Sequence, residues 1–157
     1  MRYLGLDTSS KAIHGVILDE QENLLSTHKV ICNTKNPFKE RFSELLTNFM
    51  NELWDIDAVT LDLALIEEPI FAQNRNVVRT LSEVVGAVWA ILSIADVPTK
   101  LVDNGTWKKN IIGNGKSKKC DIMKYATEKW GDKFPEQDYA DSACIALYGL
   151  KESDNVI

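Results

Sequence analysis

Apolar residues in the first part of the chain come in short runs broken by polar turns. Tyr3-Leu4-Gly5-Leu6 stops at Asp7, and the run predicts a first strand near Arg2 to Asp7. A second strand is predicted near Ala12 to Leu18 and a third near Leu24 to Cys32, with Asp19-Glu20-Gln21-Glu22-Asn23 as the turn between them. Links this short predict an antiparallel meander. After Asn36-Pro37, a helix start, Phe38, Phe42, Leu45, Leu46, Phe49 and Leu53 recur at helical spacing. Leu61, Leu63 and Leu65 then alternate with Asp62, Ala64 and Ile66, which predicts a fourth strand closing on Glu67-Glu68. A helix from about Asn74 to Ala95 follows, and its second half, Val84 to Leu92, is apolar on every side. Such a helix must be covered on more than one face, which predicts a symmetric homodimer through the helix around Val84 to Ile94. A short strand, Thr99 to Val102, a lysine-bearing loop and two closing helices, near Lys118 to Trp130 and Glu136 to Leu150, complete the chain. The order β-β-β-α-β-α-β-α-α predicts an α/β fold: a five-stranded mixed sheet, first three strands antiparallel, flanked by helices on both faces.

The length of 157 residues fits one domain, 1–157, with a full core. Cys32, Cys120 and Cys144 are odd in number and widely spaced, so neither a disulfide framework nor a zinc knuckle is expected. They read as core thiols in a reducing compartment. The N-terminus enters a strand without a basic, apolar leader, and the longest apolar run, Val84 to Ala95, is too short to span a bilayer. The expectation is a cytoplasmic protein with no membrane association. The net charge of −5 argues against a nucleic-acid partner, but its distribution is uneven. Lys108, Lys109, Lys116, Lys118 and Lys119 follow Trp107 without an intervening acid, around Gly113-Asn114-Gly115. The segment is either a solvated surface run or a phosphate-holding loop of lysines and free backbone amides.

The acids carry the chemistry. Asp7 and Glu67 each end an apolar strand, and alternation puts Glu67 on the face of the leucines and Glu68 on the other. An acid that continues an apolar face is costly unless paired or metal-bound, and α/β sheets form sites at the carboxyl ends of their strands. Asp138 and Asp141 share one face at the start of the last helix, while Ala140, Ala143, Cys144 and Leu147 form its buried stripe. An isolated pair of this kind also suits the positive end of a helix dipole. Together the four acids point to a cation site. The hydroxyls of Thr8, Ser9 and Ser10 have no evident base, because His14 and His28 fall within the second and third strands, where a core or surface role is expected.

The order of elements, with Leu4-Gly5-Leu6-Asp7, Ile66-Glu67-Glu68 through Ala72-Gln73-Asn74, Lys108-Lys109-Asn110-Ile111-Ile112-Gly113-Asn114-Gly115 and Gln137-Asp138-Tyr139-Ala140-Asp141, resembles the ribonuclease H-like superfamily, and more narrowly the RuvC-type Holliday junction resolvases. The resemblance runs nearly end to end and admits a phage-like branch. It implies that Asp7, Glu67, Asp138 and Asp141 form the catalytic, metal-binding carboxylates, with Glu68 a neighbour. It also implies that Lys108 and Lys119 meet the scissile phosphate, with Lys109 or Lys118 as alternative counterparts, and that Lys109, Lys116 and Lys118 hold DNA. Phe71 stands one position beyond the family's junction-facing aromatic, where Ile70 aligns, and is either a DNA contact or a loop anchor. Ser9 stands where the family usually has Gly.

Four carboxylates at one site select hard ions, Mg²⁺ with Mn²⁺ as a substitute, two per site at about 3.5–4 Å separation. The implied function is metal-dependent resolution of four-way DNA junctions by paired nicks in recombination and repair, in a bacterial or phage-infected cell. The rival readings are a relaxed branched-DNA nuclease, a YqgF-like RNA-processing nuclease and a non-catalytic DNA-binding module. A sugar-kinase or actin-like fold fits less well, since it needs two such domains and a Gly-rich turn.

Overall fold

Strands β1 (Arg2–Thr8), β2 (Ala12–Asp19), β3 (Leu24–Ile31), β4 (Leu63–Glu67) and β5 (Thr99–Val102) form one sheet in the order β3-β2-β1-β4-β5. The computed structural model describes residues 1–56, 60–69 and 74–154. β1, β2 and β3 pair antiparallel, as the short turns predict, whereas β1–β4 and β4–β5 are parallel. The parallel pairs follow from the helical crossovers α1 (Phe38–Ile56) and α2 (Arg75–Ile94). The mixed sheet with helices on both faces is therefore the architecture the sequence predicts.

Strand alternation divides the core in two. Tyr3, Val16, Leu18, Leu63 and Leu65 face α3 (Asn104–Ile112), α4 (Lys119–Trp130) and α5 (Gln137–Asp154). Leu4, Leu6, Ile17, Ala64 and Ile66 face α1 and α2 on the other side. Glu67 follows Leu63 and Leu65 onto the α5 side, but Leu61 precedes the strand and packs into the opposite layer. The leucine alternation thus predicts the face of Glu67 from the strand's own residues.

Three expectations need correction. First, the stretch from Trp107 to Ile112 is helical, not loop: α3 starts where the Asp103 side chain accepts the Thr106 N–H and ends at Gly113, whose φ of 93° is the left-handed conformation suited to glycine. Second, α5 rather than α2 is the helix enclosed on nearly every side: every residue from Ser142 to Leu147 is buried. α2 buries one stripe, Val84, Val85, Val88 and Leu92, and leaves Trp89 42% and Ile94 84% exposed. By length and composition α2 is also long and apolar enough to cross a membrane, which the shorter run Val84 to Ala95 did not suggest. Third, Cys120 is exposed; all three cysteines are free, and only Cys32 and Cys144 are core thiols.

α5 lies unusually close to β1. A Cβ on Gly5 would stand 2.1 Å from the Ser142 carbonyl oxygen and 2.4 Å from the Ala146 nitrogen, both backbone atoms that have nowhere to move. Buried Ser142 reinforces the approach, its Oγ lying 3.0 Å from the His14 carbonyl oxygen of β2 and 2.8 Å from that of Asp138. Gly5→Ala is expected to lower stability by at least about 3 kcal/mol, the upper end of overpacking costs. Chemical denaturation measures it; an unchanged midpoint would show that α5 can move off the sheet cheaply.

Candidate active site

The parallel register of β1 and β4 places Leu6 beside Ile66. The next residue on each strand is an acid, Asp7 and Glu67, and both turn toward α5. The first turn of α5 supplies Asp138 and Asp141, three residues apart on the face that looks at Asp7. One carboxylate oxygen from each of Asp7, Asp138 and Asp141 lies within 4.8 Å of the others. A recess beside them is lined by Thr8, Glu67, Glu68, Pro69, Leu81 and Val85 as well as Asp7.

Glu67 stands slightly apart because α3 holds it. The Asn104 side-chain amide donates to its Oε1, and the indole Nε1 of fully buried Trp107 donates to its Oε2 at 3.3 Å. Gln137 does the same for Asp141, its Nε2 reaching Oδ1 at 3.0 Å. Each acid therefore keeps a defined orientation although no base partners it. Glu68, by contrast, is exposed, and its N–H donates to the Val102 carbonyl.

The electrostatics are those of acids forced together out of water. Burial, reinforced by the charges of Glu67, Asp141 and Asp138, raises the Asp7 pKa from 3.8 to about 8. Burial also raises Glu67, against the lowering effect of its bonds to Asn104 and Trp107. Asp141 is raised by burial too, with Gln137 and Lys108 opposing. Lys108 draws down both Glu67 and Asp141, and Lys119 draws down both Asp7 and Asp141. Those two lysines thus sit where their charge reaches the cluster. Lys108 Nζ lies 5.4 Å from the Trp107 ring centroid, and Lys119 opens α4. Lys109, Lys116 and Lys118 are exposed. Lys118 precedes α4, its N–H bonded to Asp121 Oδ2 at 2.9 Å. Phe71 and Ile70 fall outside the described residues.

Two features escape a reading of sequence alone. Ser9 builds the turn after Asp7: its Oγ donates to the Ala12 carbonyl at 2.9 Å and accepts the Lys11 and Ala12 N–H groups. His14, expected as a core or surface residue, pairs with Asp7 across β1 and β2 and lies at the cluster's edge. His14 Nδ1 is 3.6 Å from Asp138 Oδ2, and Nε2 is 3.2 Å from Glu136 Oε2. The only sequence signal was its register, seven residues beyond Asp7 across a tight turn. His28 faces the other layer, bonded to Glu52 of α1 at 2.7 Å.

Carboxylate oxygens are hard donors, and acids brought together out of water favour a cation among them. The donor set fits a hard divalent cation.

No protein-family model matches the chain. The chain is 27% identical over 170 residues to the crossover junction endodeoxyribonuclease RuvC of Idiomarina loihiensis, covering 98% of this chain and 89% of that protein. Thermus thermophilus RuvC superposes with a TM-score of 0.79 at 19% identity, over 99% of this chain and 97% of that one. The same protein in complex with a Holliday junction substrate gives 0.82 at 19% identity, over 99% and 96%. The yeast mitochondrial Holliday junction resolvase Ydc2 gives 0.59 at 16%, over 98% of this chain and 81% of that one. The fold is that of the RuvC structures, the ribonuclease H-like arrangement the motifs resemble.

The sign of the Asp7 shift makes a prediction for the metal-free protein. A carboxyl that titrates near 8 when folded and at 3.8 otherwise keeps a proton that the unfolded chain has released, so stability falls as pH rises between those values. Asp7→Asn is expected to stabilise the metal-free protein at pH 8.5 by about 1–2 kcal/mol, roughly 2–8 °C in melting temperature. The difference should shrink toward pH 4. Thermal melts across pH test this; a variant that melts at or below the parent at pH 8.5 would mean the carboxylates do not strain the fold.

Proposed function

We propose that the chain is a metal-dependent endonuclease that resolves four-way DNA junctions by paired nicks, acting in recombination and repair. The observation that carries this reading is the convergence of Asp7, Asp138 and Asp141, with Glu67 oriented beside them, at the strand ends of a chain similar to RuvC from end to end. Asp7, Glu67, Asp138 and Asp141 are assigned as the catalytic carboxylates and metal ligands. When bound there, divalent ions supply a polarised water and neutralise charge on the leaving 3′-oxygen; Mg²⁺ is the assigned ion and Mn²⁺ a substitute.

The chain's own residues account for the remaining work. Asn104, Trp107 and Gln137 fix the carboxylates so that they do not reorient when substrate arrives. Lys108 and Lys119 offset the charge a phosphodiester brings to an acidic site. Lys109, Lys116 and Lys118 are assigned to hold flanking backbone; the Gly113 N–H is taken by the Lys109 carbonyl and does not join them. The hydroxyl of Ser9 is committed to its turn, so a hydroxyl nucleophile is not part of the reading. The intact cluster also weighs against a non-catalytic binding module.

The finer assignments rest on the same basis. Apolar residues left exposed along α2, Val77, Trp89 and Ile94, support a homodimer through the helix around Val84 to Ile94. Two sites related by a twofold axis would then nick opposing strands. The assigned compartment is the cytoplasm of a bacterium or phage-infected host cell.

Purified protein is expected to make paired, Mg²⁺-dependent nicks in a labelled synthetic four-way junction and to leave linear duplex intact. Asp138→Asn with Asp141→Asn should bind that junction and lose cleavage by at least about 10²–10³-fold. Cutting of flaps or structured RNA at equal rates would replace the junction assignment with a relaxed or RNA-processing nuclease, and full activity of the double variant would remove the site. For the dimer, Ile94→Glu combined with Trp89→Glu should give monomers in sedimentation and uncoupled single nicks. A parent protein that sediments as a monomer at tens of micromolar refutes that interface.

A further inference from the structure

His14 is 4% exposed and stands between two carboxylates. Glu136 Oε2 lies 3.2 Å from its Nε2. Lys29 Nζ grips both oxygens of Glu136, at 2.5 and 2.7 Å. A carboxylate held by an ammonium group accepts hydrogen bonds, so the contact at 3.2 Å places the proton on Nε2. In the neutral ring that leaves a lone pair on Nδ1, which faces Asp138 Oδ2 at 3.6 Å. The two atoms form a natural seat for a cation, and Asp138 belongs both to this group, His14, Glu136 and Asp138, and to the Asp7, Asp138 and Asp141 group. A histidine whose far nitrogen donates to a carboxylate is also the arrangement that orients imidazole ligands at metal centres.

We propose that His14 is a nitrogen ligand of the metal centre, coordinating through Nδ1 beside Asp138, with Glu136 and Lys29 as the positioning residues that fix its tautomer. The inference rests on the reading of the carboxylate cluster as a metal site. It changes the centre from all-oxygen to mixed nitrogen and oxygen donors. Imidazole favours borderline ions over Mg²⁺, so His14 biases the site toward Mn²⁺ and Co²⁺. The Tyr139 ring, edge-on to His14 with centroids 5.0 Å apart, packs beside the imidazole and limits its rotation.

The chain contains two histidines, His14 and His28, which makes a spectroscopic test decisive. Chelator-stripped protein is loaded with Mn²⁺ and studied by pulsed electron paramagnetic resonance for directly coordinated ¹⁴N. The parent and His28→Gln should both show an imidazole nitrogen coupling, and His14→Gln should lose it while still binding Mn²⁺ about 10-fold more weakly. Its Mg²⁺ affinity should change less than about threefold. Bound Mn²⁺ without nitrogen coupling in the parent would overturn the role of His14 and leave the carboxylate site standing. Absence of Mn²⁺ binding at millimolar concentration would overturn both. Should His14→Gln fail to fold, the parent and His28→Gln spectra still decide the question.

Discussion

Everything at the site depends on how closely α5 approaches β1. Gly5 has no room for a methyl group because the α5 backbone at Ser142 and Ala146 occupies that space, and the facing helix residues Ala140, Ala143 and Ala146 are small and buried. A larger residue at Gly5 would lift the helix. Asp138 and Asp141 would then move away from Asp7, since they stand on the first turn of that helix. Ser142 closes the remaining freedom by bonding to the β2 backbone at His14. Packing in the middle of the domain thus sets carboxylate separations at its edge.

That arrangement works against the stability of the empty protein. Burial raises Asp7, Glu67 and Asp141 together, and each is a cost that no lysine fully removes. The orienting bonds from Asn104, Trp107 and Gln137 do not neutralise the acids; they only fix them. A cation relieves the repulsion, so the same energy that destabilises the empty fold adds to metal affinity. Functional sites are where sequences depart from what folding alone favours. Here the departure lies at strand ends, where the core supplies the rigidity to sustain it.

Much of this was legible in the sequence because strand alternation and helical spacing report which face each residue occupies. The five strands and the face of Glu67 followed from that alone. α3 escaped because its lysines read as a charged loop, although Asp103 and Gly113 were its start and stop signals. α2 and α5 were confused for a physical reason. Large apolar residues suggest enclosure more strongly than small ones, yet a helix enters the centre of a sheet-covered layer by being thin, as Ala-rich α5 is. Trp89 and Ile94, exposed on different sides of α2, add to its apolar character without being enclosed. His14 was illegible because its role is set by pairing across β1 and β2 and by Glu136, far away in sequence, neither of which any local pattern reports.

The acidic net charge, which opposes the proposed DNA substrate, takes a different meaning once the acids are located. Asp7, Glu67, Asp138 and Asp141 make up most of the −5 imbalance. Two divalent ions at the cluster would bring the loaded protein close to neutral. Lys108 and Lys119 are cations whose charge reaches the cluster, and charges beyond about 10 Å are screened at ordinary ionic strength. Metal loading and DNA affinity should therefore be coupled through charge. A phosphate chain approaching the empty site would meet uncompensated carboxylates, while one approaching the loaded site would meet cations flanked by Lys108 and Lys119.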